Sequence, residues 1–207
     1  MPDQTSQEPL VLAFDTSAAH CAAALLSGDR VLVSRVEPMT KGQAERILVL
    51  CEELLEEAGV TYGDLTALGV GIGPGNFTGI RIAVSAARGL ALGLGIPAVG
   101  VDAFDALRKG HDGPCACAVD ARRDQVFLQG FDNPAIAEPA LYDANDLPFF
   151  NGPLIGAGGQ PSALPVAEAI ARIAAKRFAA NPPRPAPLYL RPADAAPARD
   201  AAPVLLP

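Results

Sequence analysis

Residues 10–17 read LVLAFDTS, an apolar run that closes on a polar turn. Two further apolar runs follow at residues 21–26 and 31–36, and each is separated from the run before it by only a few residues. Short apolar runs bounded by turn residues are typical of buried strands. Because the connections are too short for a crossover helix, the three strands are predicted to pair in antiparallel fashion.

The opening pattern returns in the second half of the chain. Residues 118–122 read AVDAR, an echo of AFDTS at residues 13–17, and the two stretches start 105 positions apart. Each is the end of an apolar strand that closes on an aspartate, and each leads through a polar turn into another strand, at residues 126–131 in the second copy. Internal repetition decides the architecture of a chain. The sequence therefore predicts a duplicated α/β unit.

Between and after the two copies, the apolar spacing predicts helices. Residues 43–58 carry an apolar stripe at helical spacing, with glutamates on the opposite face. A second helix is predicted from Thr78 towards Gly93, and a short third helix is predicted over residues 103–109, capped by Asp102. The remaining predicted elements are strands at residues 65–72, 98–101 and 154–156 and a helix at residues 163–178.

Composition excludes several classes of protein. The chain has 207 residues, of which 50% are apolar and 19% charged, so it can bury a core as one medium domain or two small ones. Sixteen basic and twenty-three acidic side chains give a net charge of −7, which argues against a surface that grips nucleic acid by itself. The polar start of the sequence is unlike a secretory signal, and no long apolar run predicts a membrane span. With four scattered cysteines, we expect a soluble, cytoplasmic protein.

Residues 71–81 read GIGPGNFTGIR and join a predicted strand to the start of a predicted helix. Backbone N–H groups at such a junction favour an anion, so Asp15, Thr16, Gly73 and Gly75 are candidate nucleotide- or phosphate-binding residues. The alternative is a tight turn in which Thr78 caps the helix. The stretch is neither a P-loop nor a good dinucleotide-binding fingerprint, because it lacks the residues that follow in each. From spacing alone both alternatives stay open.

The sequence offers few groups for chemistry. His20 and His111 are the only histidines, and neither sits in a metal-binding motif. Cys115 and Cys117 lie two residues apart on a predicted strand, without a second pair to complete a metal site. No Ser-His-Asp set can be assembled from these residues. We therefore expect no catalytic residue and no resident metal.

The predicted second helix carries small residues at helical spacing. They are Gly79, Ala83, Ala86, Ala87 and Gly89. Small side chains let another helix approach closely. The sequence alone does not decide between packing inside the chain and a surface for a partner.

Four of these stretches together resemble the TsaB (YeaZ) family of tRNA threonylcarbamoyladenosine biosynthesis. They are LAFDTS at residues 12–17, GIGPGNFTGIRI at residues 71–82, VDAR at residues 119–122 and PLYLR at residues 187–191. The resemblance implies an actin/Hsp70/sugar-kinase-like (ASKHA) fold, with duplicated ribonuclease-H-like lobes, mixed sheets and a reduced second lobe. Two departures stand out: Asn76 lies where relatives usually have Ser, and Gly42-Gln43 replaces a His-Ser pair before the first helix.

The resemblance also implies a role. Members are non-catalytic partners of TsaD, the subunit that transfers threonylcarbamoyl from threonylcarbamoyl-AMP to N6 of the tRNA adenosine 3′ to the anticodon. Carried onto this chain, the TsaD interface would use residues 43–58 and 78–93. The interface residues expected on this ground are Ile47, Leu50, Leu54, Phe77, Thr78, Arg81, Ala83 and Ala87.

Further expectations follow from the family. The chain alone is expected to form a homodimer, to reach tRNA only through TsaD, and to join TsaE in a ternary complex, with ATP or ADP as a candidate ligand at the complex interface. The expected division is an N-terminal lobe at residues 1–105, a smaller C-terminal lobe at residues 106–192 and a mobile tail at residues 193–207. The rival hypotheses are a nucleotide-binding enzyme of the same fold and, with less support, a glycoprotease-like peptidase.

Overall fold

The computed structural model describes residues 8–190, so the predicted tail at residues 193–207 lies outside the described residues. The first half builds a five-stranded sheet in the order β3-β2-β1-β4-β5. Its strands are β1 (Leu10–Asp15), β2 (His20–Ser27), β3 (Arg30–Pro38), β4 (Ala67–Gly71) and β5 (Ala98–Val101). The first three pair in antiparallel fashion, as predicted, whereas β4 runs parallel to β1 and β5 parallel to β4.

Helices cover both faces of this sheet. They are α1 (Gln43–Ala58), α2 (Phe77–Leu94) and α4 (Val166–Arg177), whereas the short α3 (Ala103–Arg108) lies against α4 and against the sheet of the second half. Side chains of a strand alternate between faces, and β1 follows this rule: Leu12 and Phe14 pack with α1 and α2. Val11 and Ala13 pack with α4 on the other face. The core of the first half is therefore two apolar layers, one on each side of β1.

The second half repeats the first in reduced form. Its four-stranded sheet has the order β8-β7-β6-β9, with β6 (Cys115–Asp120), β7 (Gln125–Phe131), β8 (Ala140–Asp143) and β9 (Leu154–Gly156). Like β1, β6 pairs with the next strand in antiparallel fashion and with a later strand in parallel. The order matches β3-β2-β1-β4 element for element. The fold is thus the predicted duplication of ribonuclease-H-like units with a reduced second unit.

The helix predicted at residues 43–58 has those bounds, and the carboxylate of Asp102 caps α3 by accepting from Asp105 N. The predicted cap of α2 is wrong. Asn76, not Thr78, is the N-cap, and its side-chain oxygen accepts from the backbone N–H groups of Thr78 and Gly79. Both residue types cap helices. Because α2 begins at Phe77, Asn76 is the residue that precedes the first helical turn, and Thr78 lies within that turn.

The predicted lobe boundary at residue 105 does not separate two packing units. The structure places α4, assigned to the second lobe, against β1 and β4 of the first sheet. Close packing there is possible because Gly69 has no side chain: a Cβ at this position would lie 3.0 Å from atoms of both Ile170 and Ala174. The chain therefore returns from the second sheet to complete the core of the first.

By length and composition alone, α2 is also apolar enough to cross a membrane. Five of its residues are buried against the sheet, namely Gly79, Ile80, Ala83, Val84 and Ala87. It therefore packs as a core helix along one face, and its opposite face is left for the surface.

Candidate functional site

The two most distinctive stretches of the sequence meet at the end of β1. Asp15 is 1% exposed and its Oδ1 accepts hydrogen bonds from the backbone N–H and the hydroxyl of Ser17, at 3.0 and 2.9 Å. The same oxygen lies 2.6 Å from Nε2 of His20. This carboxylate oxygen is thus engaged three times within its own turn and the strand that follows.

The start of α2 is bonded directly to that turn. The hydroxyl of Thr16 donates to the carbonyl of Gly79 at 2.7 Å, and Thr16 is fully buried. The N–H of Asn76 donates to the carbonyl of Ser17 at 2.6 Å. The side chains of Asp15 and Thr16, which the sequence suggested for a phosphate, therefore already have partners inside the fold.

Three glycines of residues 71–79 make this contact possible. A Cβ at Gly71 would overlap the carboxylate of Asp15, one at Gly75 would overlap the carbonyl of Ser17, and one at Gly79 would overlap the carbonyl of Thr16. At Gly71 any other residue type would displace the Asp15 side chain, and at Gly75 and Gly79 it would displace backbone. The glycine-rich stretch therefore packs directly against the turn at residues 15–17.

Gly73 has a different neighbour. Its φ is +92°, and a Cβ here would lie 2.5 Å from Ile80 and 3.2 Å from the carbonyl of Leu188. Its own carbonyl accepts from the N–H of Ala103 at 2.8 Å. Of the four candidate phosphate residues, the structure brings Asp15, Thr16 and Gly75 together and places Gly73 against the C-terminal segment.

The repeat noticed in the sequence extends to this turn. Oδ1 of Asp120 accepts from the N–H of Arg122 at 3.0 Å, the same two-residue offset as between Asp15 and Ser17. Asp120 is exposed, however, whereas Asp15 is buried. The two copies therefore share the local turn and differ in what covers it.

A second cluster lies at the exposed side of the start of α2. The rings of Phe77 and Tyr189 stack at 4.6 Å between centroids, and the guanidinium of Arg81 lies 3.9 Å from the centre of the Phe77 ring. Such contacts combine ring stacking with cation–π attraction. Tyr189 was not a predicted site residue, although the resemblance at residues 187–191 contained it; Arg191 lies outside the described residues.

Five of the predicted interface residues do not lie on a surface. Ile47, Leu50, Leu54, Ala83 and Ala87 are at most 1% exposed and pack in the core between the helices and the sheet. Thr78 and Arg81 are exposed, and Phe77 is half-buried. The prediction of these five side chains is wrong because an apolar stripe on a helix first serves the sheet of its own chain.

Part of the outward surface of the two helices is apolar. Between them lies an open groove of about 490 Å³. It is lined by Leu48, Tyr62, Ser85, Ala86, Gly89, Leu90, Gly93 and Leu94. On the same two helices, Val49 is 46% and Leu92 82% exposed. Of the predicted small-residue face, Ala86 and Gly89 belong to this groove, whereas Gly79, Ala83 and Ala87 face inward.

Charges at the edge of α1 form a network with β3. Arg46 donates to Glu37 and to Glu53, each with contacts of 2.7 Å. Hydrogen bonds from the Arg46 side chain hold the pKa of Glu37 and of Glu53 below the ordinary value. Arg35 adds a contact of 3.1 Å to Glu53. This network fixes the outer strand of the sheet to α1.

The four cysteine thiols offer no reactive group at the surface. All four cysteines are free and buried, and burial raises the pKa of Cys21 to about 11. Within residues 8–190, no three His, Cys, Asp or Glu side chains are grouped so that they could hold a metal ion.

Comparison with known proteins adds to this geometry. A family model described as "TsaD: tRNA N6-adenosine threonylcarbamoyltransferase" matches residues 37–144. An uncharacterized protein of Mycobacterium tuberculosis is 34% identical over 200 residues, which are 90% of this chain and 94% of that protein. The tRNA threonylcarbamoyladenosine biosynthesis protein TsaB of Escherichia coli is 36% identical over 122 residues, 56% of this chain and 52% of that protein.

Among solved structures, YeaZ from Pseudomonas aeruginosa superposes with a TM-score of 0.73 and 27% identity, covering 88% of this chain and all of that one (100%). Sequence relatives that carry the TsaB name and a full-length structural match to YeaZ agree with one another. They also agree with the duplicated sheets and with the joined motifs at residues 15–17 and 71–79. The chain belongs to the TsaB (YeaZ) family, in which named members are tRNA threonylcarbamoyladenosine biosynthesis proteins.

Proposed function

We propose that this chain is a non-catalytic subunit that pairs through the outward face of α1 and α2 with a TsaD-type partner. In this proposal the partner transfers threonylcarbamoyl from threonylcarbamoyl-AMP to N6 of the tRNA adenosine 3′ to the anticodon. The chain holds the partner in a competent state, because a binding partner favours whichever conformation it contacts better. The single observation that carries the proposal is the open groove between the two helices.

Two glycines in that groove have no role within the chain. Gly89 and Gly93 lie inside α2, and a Cβ at either would meet no atom within 4 Å. A glycine in a helix interior costs roughly 1 kcal/mol relative to alanine. Since nothing in the fold requires these glycines, the cost is consistent with a surface on which a helix of another subunit comes close.

The polar groups nearby support a role without chemistry of its own. Thr16 and Asp15, the best placed candidates for a nucleotide, are bonded within the fold. The net charge of −7 favours contact with tRNA through the partner and not through this chain. We extend the proposal to a homodimer through the same groove when the partner is absent, to a ternary complex with TsaE, and to ATP or ADP as a ligand at the complex interface.

The test is size-exclusion chromatography with light scattering, on the chain alone and mixed with its cognate TsaD. We expect a one-to-one complex for the native chain and none for Gly89→Glu, which sets a charge in the groove. Ala135→Glu, at an exposed position in the second half, is the matched control and should bind normally. Circular dichroism checks that both variants are folded.

A folded Gly89→Glu chain that still forms the complex would place the interface elsewhere. Absence of any complex for the native chain, with and without ATP, would remove the proposal. Turnover of a nucleotide by the chain alone would favour the nucleotide-binding enzyme instead.

A further inference from the structure

A cationic pocket lies far from the helix groove, where the C-terminal ends of α3 and α4 meet. It has a volume of about 410 Å³. Its cationic lining residues are Arg108, Lys109, Lys176 and Arg177, joined by His111. The chain has 16 basic and 23 acidic side chains, so a cavity lined by four cationic residues is more positive than the chain as a whole.

The two arginines are held at the walls by carboxylates. Arg177 donates to Asp105 at 2.7 Å, and Arg108 donates to Asp132 at 3.2 Å. The Arg108 guanidinium also lies 4.6 Å from the centre of the Phe131 ring. These contacts orient the guanidinium groups, and their charge is balanced in pairs.

The charges of the two lysines are not balanced by carboxylates. Among the described residues, no carboxylate lies within 4.0 Å of the amine of Lys109 or of Lys176. The pKa of Lys109 is lowered, first by burial and then by the charges of Lys176 and Arg172. Like charges that line one pocket repel each other. An anion between them would relieve that repulsion.

Two nitrogen atoms of the lining residues also lack a hydrogen-bond partner. Nε of Arg108 and Nε2 of His111 are buried without a hydrogen-bond partner among the described residues. A buried polar atom without a partner costs free energy, so a native fold rarely leaves one unpaired. Asp112 also lines the pocket, and its exposed position leaves it in water at the rim.

We propose that this pocket binds a phosphate group, held by the amines of Lys109 and Lys176 beside the imidazole of His111. Phosphate matches the donors because it offers several strong acceptor oxygens and a negative charge to each neighbour. The shared chemistry is the phosphate itself, whether it belongs to a small polyphosphate or to the backbone of an RNA. The proposal does not depend on the partner proposed above.

The first test is isothermal titration calorimetry of the full chain with inorganic pyrophosphate. We expect saturable binding, weakened about tenfold by Lys176→Ala because a charge-assisted hydrogen bond is lost. The chain has only three lysines, and Lys41→Ala, at an exposed position before α1, is the matched control that should bind as the native chain does. No saturable heat at millimolar pyrophosphate would overturn the proposal and leave the cations a role at the helix ends alone.

A second measurement reads the amines directly. Acetylation at mildly alkaline pH, followed by peptide mass spectrometry, gives a rate for each of the three lysines. Pyrophosphate should slow the acetylation of Lys109 and Lys176 and leave that of Lys41 unchanged. Equal effects at all three positions would contradict a specific site even if heat were observed.

Competition then identifies the source of the phosphate. Displacement of pyrophosphate by ADP at similar concentration assigns the site to a small polyphosphate. Displacement by tRNA, lost as salt is raised, assigns it to the nucleic acid backbone. Either outcome supports a phosphate site.

Discussion

Nε of Arg81 donates a hydrogen bond of 2.9 Å to the phenol oxygen of Tyr189, a residue 108 positions later in the chain. The same guanidinium lies over the ring of Phe77, on which Tyr189 stacks. A C-terminal segment without regular secondary structure is thereby fixed to the first turns of α2. Leu188 N adds a backbone hydrogen bond of 2.8 Å to the carbonyl of Ile72.

Removing the two parts of this contact separately should show which part fixes the segment. Tyr189→Phe loses only the hydrogen bond and should lower the free energy of unfolding by at most about 1 kcal/mol. Tyr189→Ala also loses the ring stacking, and we expect a further loss of about 1 kcal/mol. Urea unfolding measures both, and equal values for the two variants would mean that the stacking adds no stability.

The glycines of α2 should respond in opposite ways to alanine. Gly79→Ala forces a Cβ onto the carbonyl of Thr16 and should lower the free energy of unfolding by about 2 kcal/mol or more. Gly89→Ala meets open space and should raise it by about 0.5–1 kcal/mol, because alanine favours the helix. Urea unfolding of both variants measures the contrast, which a shared helix propensity effect cannot produce.

Charge at the inner and outer faces of α2 should also have opposite consequences. Ala87 is fully buried, so Ala87→Glu should lower the free energy of unfolding by more than about 3 kcal/mol and prevent folding. Leu92 is 82% exposed, so Leu92→Glu should leave the circular dichroism spectrum and the melting temperature close to native values. A folded Ala87→Glu chain would show that the packing of α2 on the sheet is looser than described.

The Arg46 network predicts a contribution to acid stability. The pKa values of Glu37 and Glu53 are lowered in the folded chain, so this stability is present above the unfolded carboxyl value and is lost as pH falls through the folded values. Arg46→Gln removes the cause. Its free energy of unfolding should therefore fall less than that of the native chain between about pH 5 and pH 3. Chemical denaturation at several pH values gives the two slopes, and parallel curves would contradict this role of Arg46.

The sequence predicts local elements well where a single pattern decides. The stripe from Ile47 to Ala58 predicts α1 with its observed bounds, and the repeat of Asp15 at Asp120 predicts two sheets of one topology. It fails where two patterns compete. In α2 small residues occupy both faces, so spacing does not tell Ala87, which packs on the sheet, from Ala86, which lines the groove.

Local sequence patterns also do not predict which distant elements pack together. Nothing in residues 166–177 states which of two sheets α4 will cover, because its apolar stripe suits either. The space above Gly69 decides it, and that space exists only once the first sheet is assembled. The contact between Arg81 and Tyr189 belongs to the same class, since each residue alone reads as an ordinary surface side chain.

The close packing of residues 15–17 on the glycines at positions 71, 75 and 79 constrains both stretches of the sequence. Each glycine faces one atom group of the turn, so a larger side chain at any of the three positions must displace that group. A packing constraint of this kind acts on the sequence whether or not a reaction takes place there. A signature of this kind diagnoses ancestry, and the search for what a member does must begin at the surfaces that the signature leaves free to change.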